Sequence, residues 1–439
     1  MEPGYISIII ILCTFVLYVT ELLPIPIIAL ASTAAMVIFG AAPADQAWAA
    51  FGQDSVLLMG GMLAVGAALF SSGAVEAIAD MIERITKGRV HLSILVIYLS
   101  SCVLSSFLNN TTVTVMFLPL LLGIVIKAND ENVYEQRYVQ ALSAMTGIGG
   151  MMTLVGSGVN VTASGLLEAY GYEGFSFFMF LGISIPMLLA ALLYIYTIGD
   201  KIAAHIRKKS PGPSKLVRDF TEEYQKSHEA TQLDRKKRDV KKMRKSTAIL
   251  ILTAAALMSR DLHGVSLGTI GVTAAVCCVV SGCLSLDEMI RKINWNTLLI
   301  LGGMIGCAKC LAASGGGLII ANFLLNLFGD SLTPYLTFAI FTLTSGVISQ
   351  FLSNTGTVGM LIPICIPIAQ AMGASPVPFV VGITLAASCS FATPMASHIQ
   401  ALIIDWGSYK FIDFVKYSAP LTAILLLLIL ILTPMYFPI

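Results

Sequence analysis

Two short stretches of this chain place uncharged polar side chains in the middle of apolar runs: FLNNTTVTVMFLP at 107–119 and FLSNTGTVGMLIP at 351–363. They match at Phe107/Phe351, Leu108/Leu352, Asn110/Asn354, Thr111/Thr355, Met116/Met360 and Pro119/Pro363. An Asn or Thr surrounded by hydrocarbon must find a polar partner, so each tip faces protein, water or a ligand. Asn suits a ligand of either sign, donating through its NH₂ and accepting through its C=O. A loop tip between two half-helices adds free N–H groups at one helix start, which suit an anion, and free carbonyls at the other helix's end, which suit a cation. One such pair is as well explained by helix–helix hydrogen bonding or by a turn. A matched copy in the other half of the chain favours a ligand.

After each tip comes a stretch interrupted by small residues, GIGGMMTLVGSGVNVTASG at 147–165 and ASCSFATPMASH at 387–398. Gly156, Ser157 and Gly158, and Ala392, Thr393 and Pro394, are places where a helix unwinds, since Pro removes a donor and Gly is unfavourable mid-helix. Unwound backbone at membrane depth is tolerated only where it is buried or lines a cavity. Few ionisable side chains lie near these stretches. His398 lies one turn past the second break, where it either reads a ligand, carries a proton or pairs with water. Lys309 lies mid-span, free to snorkel or pair, while Glu21 and Asp405 read as interfacial. Cys307 and Cys310 form a CxxC, but on an apolar stretch with no second pair for zinc, so a buried structural role is expected.

The elements that position these residues follow from composition. Of 439 residues, 56% are hydrophobic and 12% charged, far from the soluble average of about 25% charged, and the mean hydropathy is +0.85. The chain therefore reads as polytopic and all-helical, with spans near 5–21, 23–41, 55–74, 138–166, 174–198, 246–260, 265–284, 296–313, 378–404 and 417–436. The first run lacks the positively charged flank of a signal peptide and is expected to remain as a membrane helix. The stretches 90–127 and 333–372 carry the Asn-Thr tips at their middle, and each either re-enters or crosses twice. Fifteen of the 26 Lys and Arg residues fall between Lys201 and Lys245. With 200–245 placed in the cytoplasm as a charged linker, nearly all the others share that side and both termini face outward. LLMGGML at 57–63 recurs as LILGGMI at 299–305, the first copy running inward and the second outward. The halves 1–199 and 246–439 are thus expected to be inverted repeats, as in secondary transporters whose sites lie near the midplane.

At the tips and breaks, and from VTELLPIPIIAL (19–30) to YKFIDFVKYSAPL (409–421), the chain resembles the divalent anion/sodium symporter family within the wider ion-transporter superfamily. That resemblance implies about ten full spans plus two re-entrant helical hairpins, each hairpin followed by a broken transmembrane helix. It implies a multi-pass protein of the cell membrane, a homodimer, whose transport domain moves as an elevator in the bilayer. The expected partners are a small divalent anion (a dicarboxylate, a tricarboxylate or sulfate) and sodium, with no nucleic acid. Carried over by position, Asn110, Thr111, Asn354, Thr355, Thr393 and Pro394 would contact the substrate. One sodium would lie at Ser105, Asn109, Asn110 and the backbone of Gly156, and a second at Ser349, Asn354 and the backbones of Leu352 and Ala392. The first tip departs from the family, reading Asn-Asn-Thr where Ser-Asn-Thr is usual. The family's Pro-Pro-Asn is replaced by Gly158-Val159-Asn160 and Met395-Ala396-Ser397, and no counterpart of its usual extra N-terminal helix is expected.

A proton-coupled carrier or anion exchanger of a related family is the alternative, disfavoured by the lack of a carboxylate at either tip. An intramembrane enzyme is not expected: there is no HExxH, no GxSxG and no pair of membrane aspartates. With no Lys or Arg at the tips, two helix ends of roughly half a charge each leave about one charge of a dianion unbalanced. Sodium is the expected remedy, and Lys309 is the rival source of positive charge.

Overall fold

Backbone polar groups inside a bilayer must be paired within the protein, and this chain meets that demand with helices. The computed structural model describes residues 2–20, 22–86, 89–128, 134–209, 240–328, 333–407 and 409–439. The first half holds α1 (Pro3–Thr20), α2 (Ile25–Ile38), a short α3 (Ala44–Trp48), α4 (Asp54–Ser71), α5 (Ala74–Thr86), α6 (Val90–Ser105), α7 (Asn110–Ala128), α8 (Glu135–Met151), α9 (Gly158–Ala169) and α10 (Leu181–Tyr194). A π-turn at Ile195–Gly199 joins α10 to α11 (Asp200–Lys209). The second half holds α12 (Val240–Met258), α13 (Leu267–Val280), α14 (Leu286–Lys292), α15 (Trp295–Ala313), α16 (Gly316–Phe328), α17 (Pro334–Ile348), α18 (Asn354–Ala371), α19 (Pro376–Ser388), α20 (His398–Trp406) and α21 (Phe411–Tyr436). Most of the charged linker, 210–239, lies outside the described residues, as does Glu21.

In order along the chain, the main helices of the second half follow those of the first, α12–α13 after the pattern of α1–α2 and α15–α21 after that of α4–α10. Packing follows the same rule crosswise, with α13 against α4 and α2 against α15. The GGM repeat is what permits it. A Cβ on Gly61 would sit 2.1 Å from the Gly271 carbonyl oxygen, and one on the matched Gly303 would sit 2.8 Å from the backbone of Ala29. Each crossing brings helix backbones into contact, which only glycine allows. Helices α5 and α16, in stretches the apolar-run reading left without an element, link the repeated long helices to the hairpins.

Each hairpin pairs a shorter first helix with a longer second one, α6 with α7 and α17 with α18. Helix α6 has 16 residues and α17 has 15, rising about 24 and 22 Å, short of the roughly 30 Å hydrocarbon core. Among the described residues, five helices are long and apolar enough to cross a membrane and seven apolar ones run only 10–17 residues. The breaks and hairpins account for most of the short ones. Helix α8 is buried along its length apart from Arg137, and α19 is almost entirely buried. These two form the centre around which the hairpins fold. Cys307 and Cys310 pack in an apolar cluster with Ile10, Met36 and Ala47.

Candidate substrate and cation site at the hairpin tips

Each tip is capped by its own side chain. Ser353 Oγ accepts from the Gly356 N–H at 3.4 Å, at the start of α18. In the other half Asn109 Oδ1 accepts from the Thr111 N–H at 3.0 Å, at the start of α7. Asn and Ser are equally good helix N-caps, so the Asn-Asn-Thr departure preserves the capping geometry of the tip.

The breaks share a register that the sequence alone did not supply. Ser157 caps α9, accepting from the Val159 N–H at 3.3 Å, and Ser397 caps α20, accepting from the Gln400 N–H at 3.4 Å. Four residues upstream of each cap, a threonine hydroxyl donates to the carbonyl preceding the tip: Thr153 to Ser106, and Thr393 to Gln350. Position 150 in one break thus matches 390 in the other, and both receive a tip asparagine. Asn354 Nδ2 donates to Ser390 Oγ at 2.8 Å, while a Cβ on Gly150 would sit 2.1 Å from Asn110 Oδ1. Ser105 Oγ also donates to Asn110 Oδ1, at 2.8 Å. Asn354 Oδ1 is buried without a partner.

Gln350 fastens the second hairpin to its break. Its Nε2 donates to the Gly346 carbonyl at 2.7 Å and the Cys389 carbonyl at 3.1 Å, and its Oε1 accepts from the Ala392 N–H at 2.9 Å. In the first half Asn160 does comparable work, donating to the carbonyls of Gly150 at 3.0 Å and Thr153 at 2.8 Å. Around Gly156, the oxygens of Gly150, Ser105 and Ser106 lie 2.8, 2.9 and 2.9 Å from where a Cβ would be. These three carbonyls form a cradle of the oxygen type that hard cations take.

Both tips and both breaks meet in one cavity of about 550 Å³. Of the expected site residues, Asn109, Asn110, Thr111, Gly156, Asn354 and Thr355 line it. Ser105 and Ser349 lie fully buried behind it. Thr393 and Pro394 do not line it, and the Thr393 hydroxyl is engaged by the Gln350 carbonyl. Leu352 packs against the cluster of Tyr18 and Met360, and the Ala392 N–H is held by Gln350. The side chain of His398 lies outside the described residues.

No charged side chain is found among the described residues of the cavity wall. Lys309 lines neither this cavity nor the one beside it; it sits twelve residues beyond Thr297, about 18 Å along α15. The wall instead gathers helix starts: α7, α9, α18 and α20 from the repeats, joined by the first turn of α15 at Asn294, Asn296 and Thr297. The sequence reading counted two such ends and missed α15, whose cap follows a charged connector rather than an apolar run. A second cavity of about 540 Å³ shares Asn109, Thr111, Gly156, Gly158 and Asn294, and runs along α4 to Ser71 and Lys292. Lys292 Nζ donates to Ser71 Oγ at 2.6 Å there.

Sequence reasoning also missed Gln350, Asn160, Ser143, Ser390 and Gln400. The signal that found the tips applied to them too, since each is a polar residue in an apolar stretch.

The sequence profile of the citrate transporter family CitMHS matches residues 15–360 and 319–438. YfbS of Escherichia coli (strain K12), an uncharacterized transporter, is 30% identical over 192 residues, 43% of this chain and 30% of that protein. The match thus spans less than a third of that relative's length. The sodium-dependent dicarboxylate transporter SdcS of Staphylococcus aureus (strain USA300) is 22% identical over 412 residues, 89% of this chain and 78% of that protein. In fold, the chain is similar to the YdaH transporter of Alcanivorax borkumensis, with a TM-score of 0.58 at 14% identity over 91% of this chain and 87% of that one. The expected kinship with transporters rather than enzymes is met, and with nearly its whole length matched, this chain belongs to the citrate transporter family CitMHS.

Proposed function

We propose that this protein is a sodium-coupled symporter of a small divalent anion, working by an elevator motion as a homodimer with 1–199 and 246–439 as its inverted repeats. The observation that carries the reading is one cavity walled by both hairpin tips without a charged side chain among its described lining residues. Four helix starts from the repeats, at roughly half a positive charge each, face the anion there. The matched helix ends at Ser105, Met151, Ile348 and Ser388 carry opposite partial charges of similar size. The two sets nearly cancel. With the start of α15 added to the wall, about one and a half charges of a dianion stay unbalanced, so it needs about one to two cations to avoid an unpaired charge in a low-dielectric pocket.

In this reading the carbonyl cradle at Gly156 with Ser105, Asn109 and Asn110 takes one sodium. Asn354, with its unpartnered Oδ1, takes part in the second together with Ser349, Leu352 and Ala392. Asn110, Thr111, Asn354 and Thr355 hold the anion, with Thr393 and Pro394 shaping the break behind them. The second cavity is its route to the face bearing Lys292. The similarity to a sodium-dependent dicarboxylate transporter along 89% of the chain supports the same reading.

Counterflow into proteoliposomes with dicarboxylates, citrate and sulfate, in sodium or choline medium, tests it. Uptake of at least one divalent anion that requires sodium is expected. Equal uptake in choline, accelerated by an inward proton gradient, would replace it with the proton-coupled alternative.

A further inference from the structure

Besides Asn354 and Ser390, already placed at the tip, Gln400 and Ser143 form a side-chain pair that lines the cavity and is incompletely bonded. They are 2% and 1% exposed, and both belong to the cavity wall. Ser143 Oγ lies 3.3 Å from both Gln400 Oε1 and Gln400 Nε2. It also lies 2.9 Å from the Gln140 carbonyl, to which it can only donate. A hydroxyl has one proton. With that proton on Gln140, Ser143 can only accept from the amide NH₂, and Gln400 keeps an unsatisfied carbonyl oxygen and one unsatisfied N–H. With the amide turned over, the same pair of groups remains.

The matched residue of the first half behaves differently. Asn160 is fully buried and its amide donates to two backbone carbonyls. Nor does it line the cavity. The repeats thus differ at this point, one amide holding backbone and the other facing the ligand space. An asymmetric wall suits an asymmetric ligand.

An amide presenting one acceptor and one donor side by side complements a hydroxyl, which donates to the first and accepts from the second. A carboxylate accepts only, so it would set an oxygen against Gln400 Oε1. Resting on the transport reading above, we infer that Gln400, positioned by Ser143, is the specificity residue that reads a hydroxyl on the substrate's carbon chain, so that the site favours a hydroxylated dicarboxylate over the same anion without the hydroxyl. A site that hydrogen-bonds a substrate hydroxyl rejects the analogue lacking it, because its buried polar groups are left unpaired.

Malate and succinate differ by that hydroxyl alone. Sodium-driven uptake of each, measured in proteoliposomes, should give wild-type protein a kcat/KM for malate about tenfold or more above that for succinate. Gln400→Met keeps length and volume without polar groups, and should bring the two anions within about threefold while succinate uptake persists. Gln400→Asn should retain part of the preference, and Ser143→Ala should reduce it by loosening the amide. A wild-type protein that treats malate and succinate alike would overturn the inference. So would a Gln400→Met protein, folded by size-exclusion profile, that keeps the full malate preference or loses both anions equally. Wild-type protein that takes up neither anion in sodium, nor citrate or sulfate, would overturn the transport reading itself.

Discussion

Replacing Gly156 with alanine probes the first cation site through a single methyl group. The new Cβ would lie 2.8 Å from the Gly150 carbonyl oxygen and 2.9 Å from those of Ser105 and Ser106. All three are backbone atoms, so none can swing aside as a side chain would. Overpacking of this kind costs roughly 1–3 kcal/mol, and it pushes apart the three carbonyls proposed to hold the cation. If that whole cost weakens sodium binding, half-maximal uptake needs roughly 5- to 150-fold more sodium. Substrate affinity at fixed sodium falls with it, because the two affinities are linked. The assay is a sodium titration of dicarboxylate uptake in proteoliposomes, paired with sodium-dependent thermal stabilisation of the purified protein. Gly158→Ala is the control: its nearest neighbours would be Thr297 at 3.4 Å and Met59 at 3.6 Å, ordinary contact distances. Position 396, which matches 156 in the second break, already carries an alanine, so the methyl offends only where the carbonyl cradle closes. A folded Gly156→Ala protein with wild-type sodium dependence would refute the reasoning, as would the same defect in Gly158→Ala.

Asn354→Ala removes the bond to Ser390 and the unpartnered acceptor proposed for the second cation, and is expected to weaken substrate binding by about 1–3 kcal/mol with normal expression, read by titration of substrate in saturating sodium. Gln350→Leu unties the hairpin from Gly346, Cys389 and Ala392; it should lower the thermal midpoint by an amount corresponding to at least ~1–3 kcal/mol, measured in detergent. Lys309→Met should leave the substrate affinity unchanged, since the side chain lines neither cavity, and loss of binding in that variant would restore a lysine-based anion site. Gly61→Ala puts a Cβ 2.1 Å from the Gly271 carbonyl and should abolish recovery of folded protein, whereas Gly60→Ala, with only Leu298 at 3.8 Å, should express normally.

The parts legible in the sequence were those where a residue type is expensive in its surroundings. Asn110 and Asn354 declared themselves because an amide in hydrocarbon demands a partner, and Gly156 and Pro394 because they interrupt helices. The GGM repeat announced the two halves, yet not its reason, since a close crossing at Gly61 depends on which helix lies opposite. The carbonyl cradle was invisible for a simpler cause: backbone oxygens carry no signature in the sequence. Thr393 was assigned to the substrate by position, but its hydroxyl donates to the Gln350 carbonyl, and Thr153 makes the matching bond to Ser106. That shared bond fixes the register between the breaks, which small residues alone left open. Helices α5 and α16 escaped because apolar length was the criterion for an element, and they connect rather than span.

Mutual dependence of sodium and substrate binding tests the central claim most directly. Purified protein would be titrated with a dicarboxylate or citrate at several sodium concentrations, and with sodium at several substrate concentrations, by calorimetry or thermal shift. If the uncharged cavity needs cations to hold a dianion, substrate affinity rises steeply with sodium, and sodium affinity rises with substrate by the same factor. Substrate affinity that stays constant from sodium-free to sodium-saturated medium would contradict it.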